Sequence, residues 1–137
     1  CSQSRGLGDV YKRQLITNAL SLHSNGKIKE ASEIYNFLIK NKFYDPRVLN
    51  NLGIIYSQIK QIDRAILLFN ESIKKFPNSM EAYSNLAGIL ANKGESDTAK
   101  KILNKAIELK YNKHECLNSI GINYQKLRNY NEAKKST

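Results

Sequence analysis

Few residues in this chain are suited to catalysis or metal binding. His114 and Cys116 stand two apart in KHEC, and imidazole with thiolate is a common zinc pair. On a helix, a spacing of two turns the side chains to different sides. The chain holds 2 His and 2 Cys in all, too few for a closed tetrahedral site. His114 is better explained as an exposed residue at a helix start. No G-x-S-x-G elbow, no G-x-x-x-x-G-K-[ST] loop and no G-x-G-x-x-G turn occurs. Asn70-Glu71-Ser72 matches a glycosylation acceptor, but it falls inside a helical stretch that packing must cover. No catalytic residue, metal or other cofactor is therefore expected.

Charge is the other chemical resource. Lys and Arg number 22 against 12 Asp and Glu, a formal net charge of +10. Most of the positive residues are lysine. Arginine, the better reader of base edges, is scarce. Phosphate binding favours a focused patch, whereas Lys40, Lys42, Lys74, Lys75, Lys100 and Lys101 are spread along the chain. A solvated outer face is the simpler account, and a nucleic-acid or acidic-membrane surface is the weaker option. No apolar run approaches the roughly 18 residues of a membrane span.

The elements that must position any site follow from a repeat. Ala31, Ala65, Ala99 and Ala133 lie 34 residues apart, as do Ala19, Gly53, Ala87 and Gly121. Leu22, Tyr56, Leu90 and Tyr124 keep the same interval, and Tyr35, Phe69 and Leu103 form a further column. Such a period signals stacked supersecondary units. Apolar residues at helical spacing predict paired helices: 12–25 with 28–42, 46–59 with 62–76, 80–93 with 96–110, and 114–127 followed by a second helix from 130. Asn25-Gly26 and Lys93-Gly94 mark turns within pairs. Asp45-Pro46 predicts a cap followed by proline at the first helical position, and Pro77 separates the second pair from the third. Gly53 sits mid-helix, where glycine costs about 1 kcal/mol relative to alanine. The expected compensation is close approach of the Ala/Gly column on the first helix to the alanine column on the second, where a larger residue would overpack at ~1–3 kcal/mol.

Leu49, Leu52-Gly53, Tyr56, Ala65, Phe69 and Pro77 together resemble the tetratricopeptide repeat. Ser72 stands where the family usually has alanine. The third repeat keeps Tyr83, Leu86-Ala87, Leu90, Ala99 and Ala106, with Tyr111 in place of the usual proline. The fourth has Leu117, Ile120-Gly121, Tyr124 and Ala133. The resemblance implies an all-α, right-handed superhelical solenoid of antiparallel helix pairs, about 3.5 repeats long: 12–45, 46–79, 80–113 and a truncated 114–137. It further implies that the first helix of each pair, helix A, lines a concave groove, with helix B outside.

Family positions place Asn50, Asn51 and Ile54 in that groove from repeat two, Asn85 from repeat three, and Asn118, Ile122 and Gln125 from repeat four. Arg47, Ser57 and Gln58 belong to the same lining, as do His23 in repeat one and Asn92 in repeat three. The chaperone-type carboxylate clamp is absent: its cationic and amide positions hold residues such as Ile54, Glu115 and Ser119. Asn51 and Asn85, each directly before the Leu-Gly or Leu-Ala pair, resemble the asparagine ladder of O-linked N-acetylglucosamine transferases. A side-chain amide donates and accepts, so it can pair with any peptide backbone. The alternative is that both asparagines bond only their own neighbouring helices.

Residues 1–14, CSQSRGLGDVYKRQ, share none of the periodicity. They resemble the translation of a transposase adapter used in DNA library preparation, so they are set apart as a non-native leader and 15–137 as the repeat domain. The Lys-, Asn- and Ile-rich composition resembles that of AT-rich bacterial genomes. The chain is expected to continue beyond residue 137 and to be cytoplasmic. The expected function is a non-enzymatic scaffold that binds an extended peptide or partner helix. The alternative is the substrate-recognition arm of a larger bacterial glycosyltransferase, sulfotransferase or methyltransferase.

Overall fold

The computed structural model describes residues 2–117, and side-chain surroundings over 8–110. Six helices follow one another: α1 (Ser2–Ser24), α2 (Ile28–Lys40), α3 (Pro46–Gln58), α4 (Ile62–Lys75), α5 (Met80–Asn92) and α6 (Ser96–Leu117). Each packs on its neighbours in sequence, and α3 also touches α5 past the intervening α4. The odd helices therefore form one layer and the even helices another, an all-α repeat solenoid of antiparallel pairs. No strand occurs among the described residues.

Burial follows that layering. In α2, Ala31, Tyr35 and Leu38 are buried, and in α4 their counterparts Ala65, Phe69 and Ser72. A stripe at i, i+4 and i+7 is one face of a helix. Helix α3 buries more of its circumference, Val48, Leu49, Asn50, Leu52, Gly53 and Ile55, because it is enclosed by both its partner and its neighbours. The core divides into one cluster around Tyr35 and Leu52 and another around Phe69 and Leu86, with Tyr56 half-buried against both. Leu103 is 42% exposed on α6.

The turns repeat as faithfully as the helices. Lys27, Gln61 and Glu95 each donate a backbone N–H to the carbonyl five residues earlier, on Leu22, Tyr56 and Leu90, at 2.8 Å. This is the hydrogen bond of a Schellman ending, which needs a left-handed residue just before the donor. Gly26 (φ 82°) and Gly94 (φ 93°) supply it in two repeats; Lys60 (φ 67°) supplies it in the middle one. Asp45 caps α3 as expected, its Oδ1 accepting from the backbone N–H of Arg47 at 2.8 Å. The Arg47 guanidinium folds back on the same carboxylate at 3.0 Å, away from the groove role its position implied.

Three expectations change. Helix α1 begins at Ser2 rather than near residue 12; no proline interrupts 2–14. Its early part shares the helix without the core: Val10 and Tyr11 are 62% and 61% exposed, and the buried run starts at Ile16. Helix α6 continues through 111–113 to Leu117, across the turn expected there, because Tyr111 replaces the proline that would stop it. The atoms nearest to Gly53 belong to Phe69 of its partner helix rather than to the expected alanine. A Cβ built on it would lie 2.6 Å from Cε1 and 2.8 Å from Cζ of Phe69. The glycine thus makes room for an aromatic ring rather than for backbone. Gly121, Tyr124 and Ala133 lie outside the described residues.

Two substitutions test this account. Ser72 is fully buried and its hydroxyl has no hydrogen-bond partner among the described residues. Ser72→Ala removes an unpaired polar group and should stabilise by about 1 kcal/mol. Lys60→Gly relieves a left-handed lysine and should also gain about 1 kcal/mol. Urea midpoints of both variants check the sign; a lower midpoint in either contradicts its premise.

Candidate functional site

The groove runs between the A-layer helices α3 and α5. Its floor holds a cavity of about 220 Å³ lined by Ile54, Ser57, Gln58, Phe69, Asn85 and Ile89. A second, of about 270 Å³, continues toward the turns between Ser57, Lys60, Ile62, Ile89, Asn92 and Lys93. Shared Ser57 and Ile89 walls make the two contiguous. Isoleucine and phenylalanine provide apolar surface; amides and a hydroxyl provide hydrogen bonding; the two lysines sit at the turn end.

Of the groove residues expected from sequence, Ile54 and Asn85 are brought together in the first cavity. Asn85 is half-buried, and its Nδ2 has no solvent exposure and no hydrogen-bond partner among the described residues. Asn51 is already engaged: its Nδ2 donates to Tyr35 Oη at 3.4 Å. Asn50 does not line the groove at all. It is 1% exposed, and its Nδ2 reaches Ser79 Oγ at 3.4 Å, just before α5 begins. Ile16, one repeat earlier, is likewise 1% exposed. This column faces the following repeat, which covers it. Asn118, Ile122 and Gln125 lie outside the described residues.

Among the signature residues, Gly53, Ala65, Phe69 and Ala99 are buried. Pro77 is exposed, and its carbonyl accepts from Tyr83 Oη at 2.9 Å.

Tyr35 does more than hold its place in a repeat column. From helix B its ring crosses the core and delivers a hydroxyl between His23 on α1 and Asn51 on α3. Tyr35 Oη lies 3.3 Å from His23 Nδ1 and accepts from Asn51. Accepting from one neighbour leaves its own proton for the other. Burial pushes the Tyr35 phenol above its ordinary value, against a smaller lowering by the Asn51 hydrogen bond. The legible signal was a column that alternates Tyr35, Phe69 and Leu103.

With this geometry in view, comparison with known proteins is decisive. The model of the Psidin N-terminal TPR repeats region matches residues 11–92, and a tetratricopeptide repeat model matches 81–113. The chain belongs to the tetratricopeptide repeat family. It is 33% identical over 115 residues to BBSome complex member BBS4 of Bos taurus; the match covers 84% of this chain and only 22% of that protein. The TPR fold superposes on the Yersinia enterocolitica type III secretion chaperone SycD in complex with a peptide of the translocator YopD. There the TM-score is 0.67 at 26% identity, covering 90% of this chain and 91% of SycD. It also superposes on PcrH of Pseudomonas aeruginosa in complex with the chaperone-binding region of PopB, with a TM-score of 0.67 at 21% identity, covering 78% of this chain and 88% of PcrH.

Apart from Lys60 and Lys93 at the turn end, many cationic residues sit elsewhere. Lys40, Lys74, Lys100, Lys101 and Lys105 are exposed on the B helices α2, α4 and α6. No group of three or more His, Cys, Asp and Glu side chains converges among the described residues. No helix there is long and apolar enough to cross a membrane.

The burial of the Tyr35 phenol predicts a pH effect. A phenol whose value is raised on folding contributes stability that is fully present below its unfolded value and lost as pH rises through the folded one. Wild-type stability should therefore fall above about pH 10, and Tyr35→Phe should lose less there. At neutral pH that variant should cost about 1 kcal/mol, from the bonds to Asn51 and His23. Chemical denaturation of both proteins at neutral and alkaline pH measures the difference.

Proposed function

We propose that the chain is a protein-interaction module that holds an extended segment of a partner protein in the groove between α3 and α5. One observation carries the reading: the two contiguous cavities between α3 and α5 join apolar side chains, Ile54, Phe69 and Ile89, to the amides of Gln58, Asn85 and Asn92. The SycD structure, solved in complex with a peptide of the translocator YopD, supports the same use of the fold. Backbone contact suits the first cavity, whose lining holds no charged side chain, since a peptide carbonyl needs a donor rather than an ion.

Asn51 and Asn85 do not contribute equally in this reading. Asn51 must release Tyr35 before it can meet a ligand, whereas Asn85 has nothing to release. Ile54 and Ile89 supply apolar contact beside it, and Gln58 adds a second amide. The lysines of the outer helices take no part.

The test uses peptides selected on the full chain from a random displayed library. Asn85→Ala should weaken the selected peptides about tenfold, and Asn51→Ala by less. The double variant should keep its melting temperature within a few degrees, about what 1 kcal/mol moves in a domain of this size. Binding unchanged by Asn85→Ala, or a double variant that unfolds, overturns the assignment.

A further inference from the structure

The turn end of the groove differs in chemistry from its floor. The second cavity, of about 270 Å³, takes Ser57 and Lys60 from the end of α3 and Asn92 and Lys93 from the end of α5. No acidic residue lines it. Lys93 Nζ lies 3.9 Å from Glu95 Oε1, with both side chains about half exposed. An exposed pair of that kind contributes little, so a ligand can replace it. Lys60 makes no ion pair among the described residues. Both lysines are exposed, and each carries its ammonium on a flexible four-carbon stem that can swing over the cavity its residue borders. Lys60, Lys93 and Glu95 together carry one net positive charge, which matches a single carboxylate.

We propose that this cavity is a carboxylate subsite, which selects partner segments carrying a glutamate or aspartate two positions from an apolar residue. The inference rests on the peptide-groove reading above and deepens it. The apolar side chain sits in the first cavity against Ile54 and Ile89. Asn85 on the first cavity and Asn92 on the second are seven residues apart on α5, about 10 Å along the helix. In an extended segment, side chains two positions apart leave one face about 7 Å from each other, and the stem of the acid covers the remainder. The two ammonium groups hold the carboxylate, with the Asn92 amide and the Ser57 hydroxyl as further donors. Neither lysine stands at a carboxylate-clamp position: α3 ends at Gln58 and α5 at Asn92, so both lie on the turns.

The experiment has two arms. In the first, 4-methylpentanoate and its neutral amide are titrated into the full chain, and the backbone amide signals of Lys60 and Lys93 are followed in proton–nitrogen spectra. The acid carries a branched apolar end and a carboxylate on one short stem. It should move both signals saturably and bind about fivefold more tightly than the amide, with the difference shrinking as salt is raised. Lys60→Gly should abolish that preference. The variant replaces a left-handed lysine (φ 67°) by the residue that Gly26 and Gly94 supply in the other two repeats, so lost binding is not lost folding. Lys93→Gln, on an ordinary right-handed backbone, gives a second reading. In the second arm, peptides selected on the full chain from a random displayed library are resynthesised with amidated C-termini. They should carry Asp or Glu two positions from an apolar residue. Replacing that acid by Asn or Gln should weaken wild-type binding about fivefold and leave binding to Lys60→Gly unchanged.

Equal affinity for acid and amide, or an unchanged preference in both lysine variants, overturns the proposal and leaves the lysines as complements of the carbonyl ends of α3 and α5 alone. Selected peptides without an acidic residue overturn it too, while the groove reading stands. Binding lost on amidation alone places the carboxylate at a chain end and overturns the side-chain assignment. Failure to select any peptide counts against the groove reading, and the small-molecule arm, which needs no peptide, still decides the subsite.

Discussion

An aromatic ring set against a residue with no side chain organises this molecule. Phe69 of α4 lies so close to Gly53 of α3 that a single methyl group would collide with it. Packed interiors have little free volume, so the ring is held in one place and the two helices are held at one separation. The ring reaches through its repeat far enough that its tip belongs to the groove on the other side. A residue of the outer helix thereby shapes the chemistry of the inner surface. Tyr35 makes the same crossing and ends in a hydroxyl shared by His23 and Asn51.

The polar groups buried along this path divide by whether they are paired. Tyr35 and Asn51 satisfy each other. Ser72 Oγ, Asn50 Oδ1 and Asn85 Nδ2 have no partner among the described residues. Burial without a partner is unfavourable, and the three positions answer differently to it. Ser72 lies in the stripe that packs α4 on its neighbours, where no ligand can reach it. Asn50 is sealed under the next repeat. Asn85 alone lines the groove, and its Nδ2 is closed to solvent there.

The solenoid architecture explains why charge plays so small a part on the groove floor. Stacking leaves the B helices facing water, and the lysines collect there. The floor of the groove is built from the A-layer residues left after the core has taken its share, which are amides, hydroxyls and isoleucines. Among proteins sharing the TPR fold, the chaperone SycD was solved with a peptide of the translocator YopD. The match to BBS4 spans 22% of that protein's length.

Much of this was legible in the amino-acid order. A strict interval of 34 residues placed Ala31, Ala65 and Ala99 in equivalent buried positions, and glycine or proline marked most helix ends. These features are local or periodic, and periodicity survives translation into a helix without knowledge of its neighbours. The course of α6 through 111–113 was missed because the proline that ends such a helix in other repeats is replaced by tyrosine. Asn50 was misplaced because the sequence cannot show that the next repeat folds over it. The unequal standing of Asn51 and Asn85 lay deeper still. Their local contexts, NLG and NLA, are nearly the same, and the difference comes from side chains sixteen residues earlier on another helix. Sequence by itself determined the repeat, the pairing and the residues near the groove; only tertiary packing decided which asparagine was already spent, because a hydrogen bond depends on where a distant hydroxyl arrives.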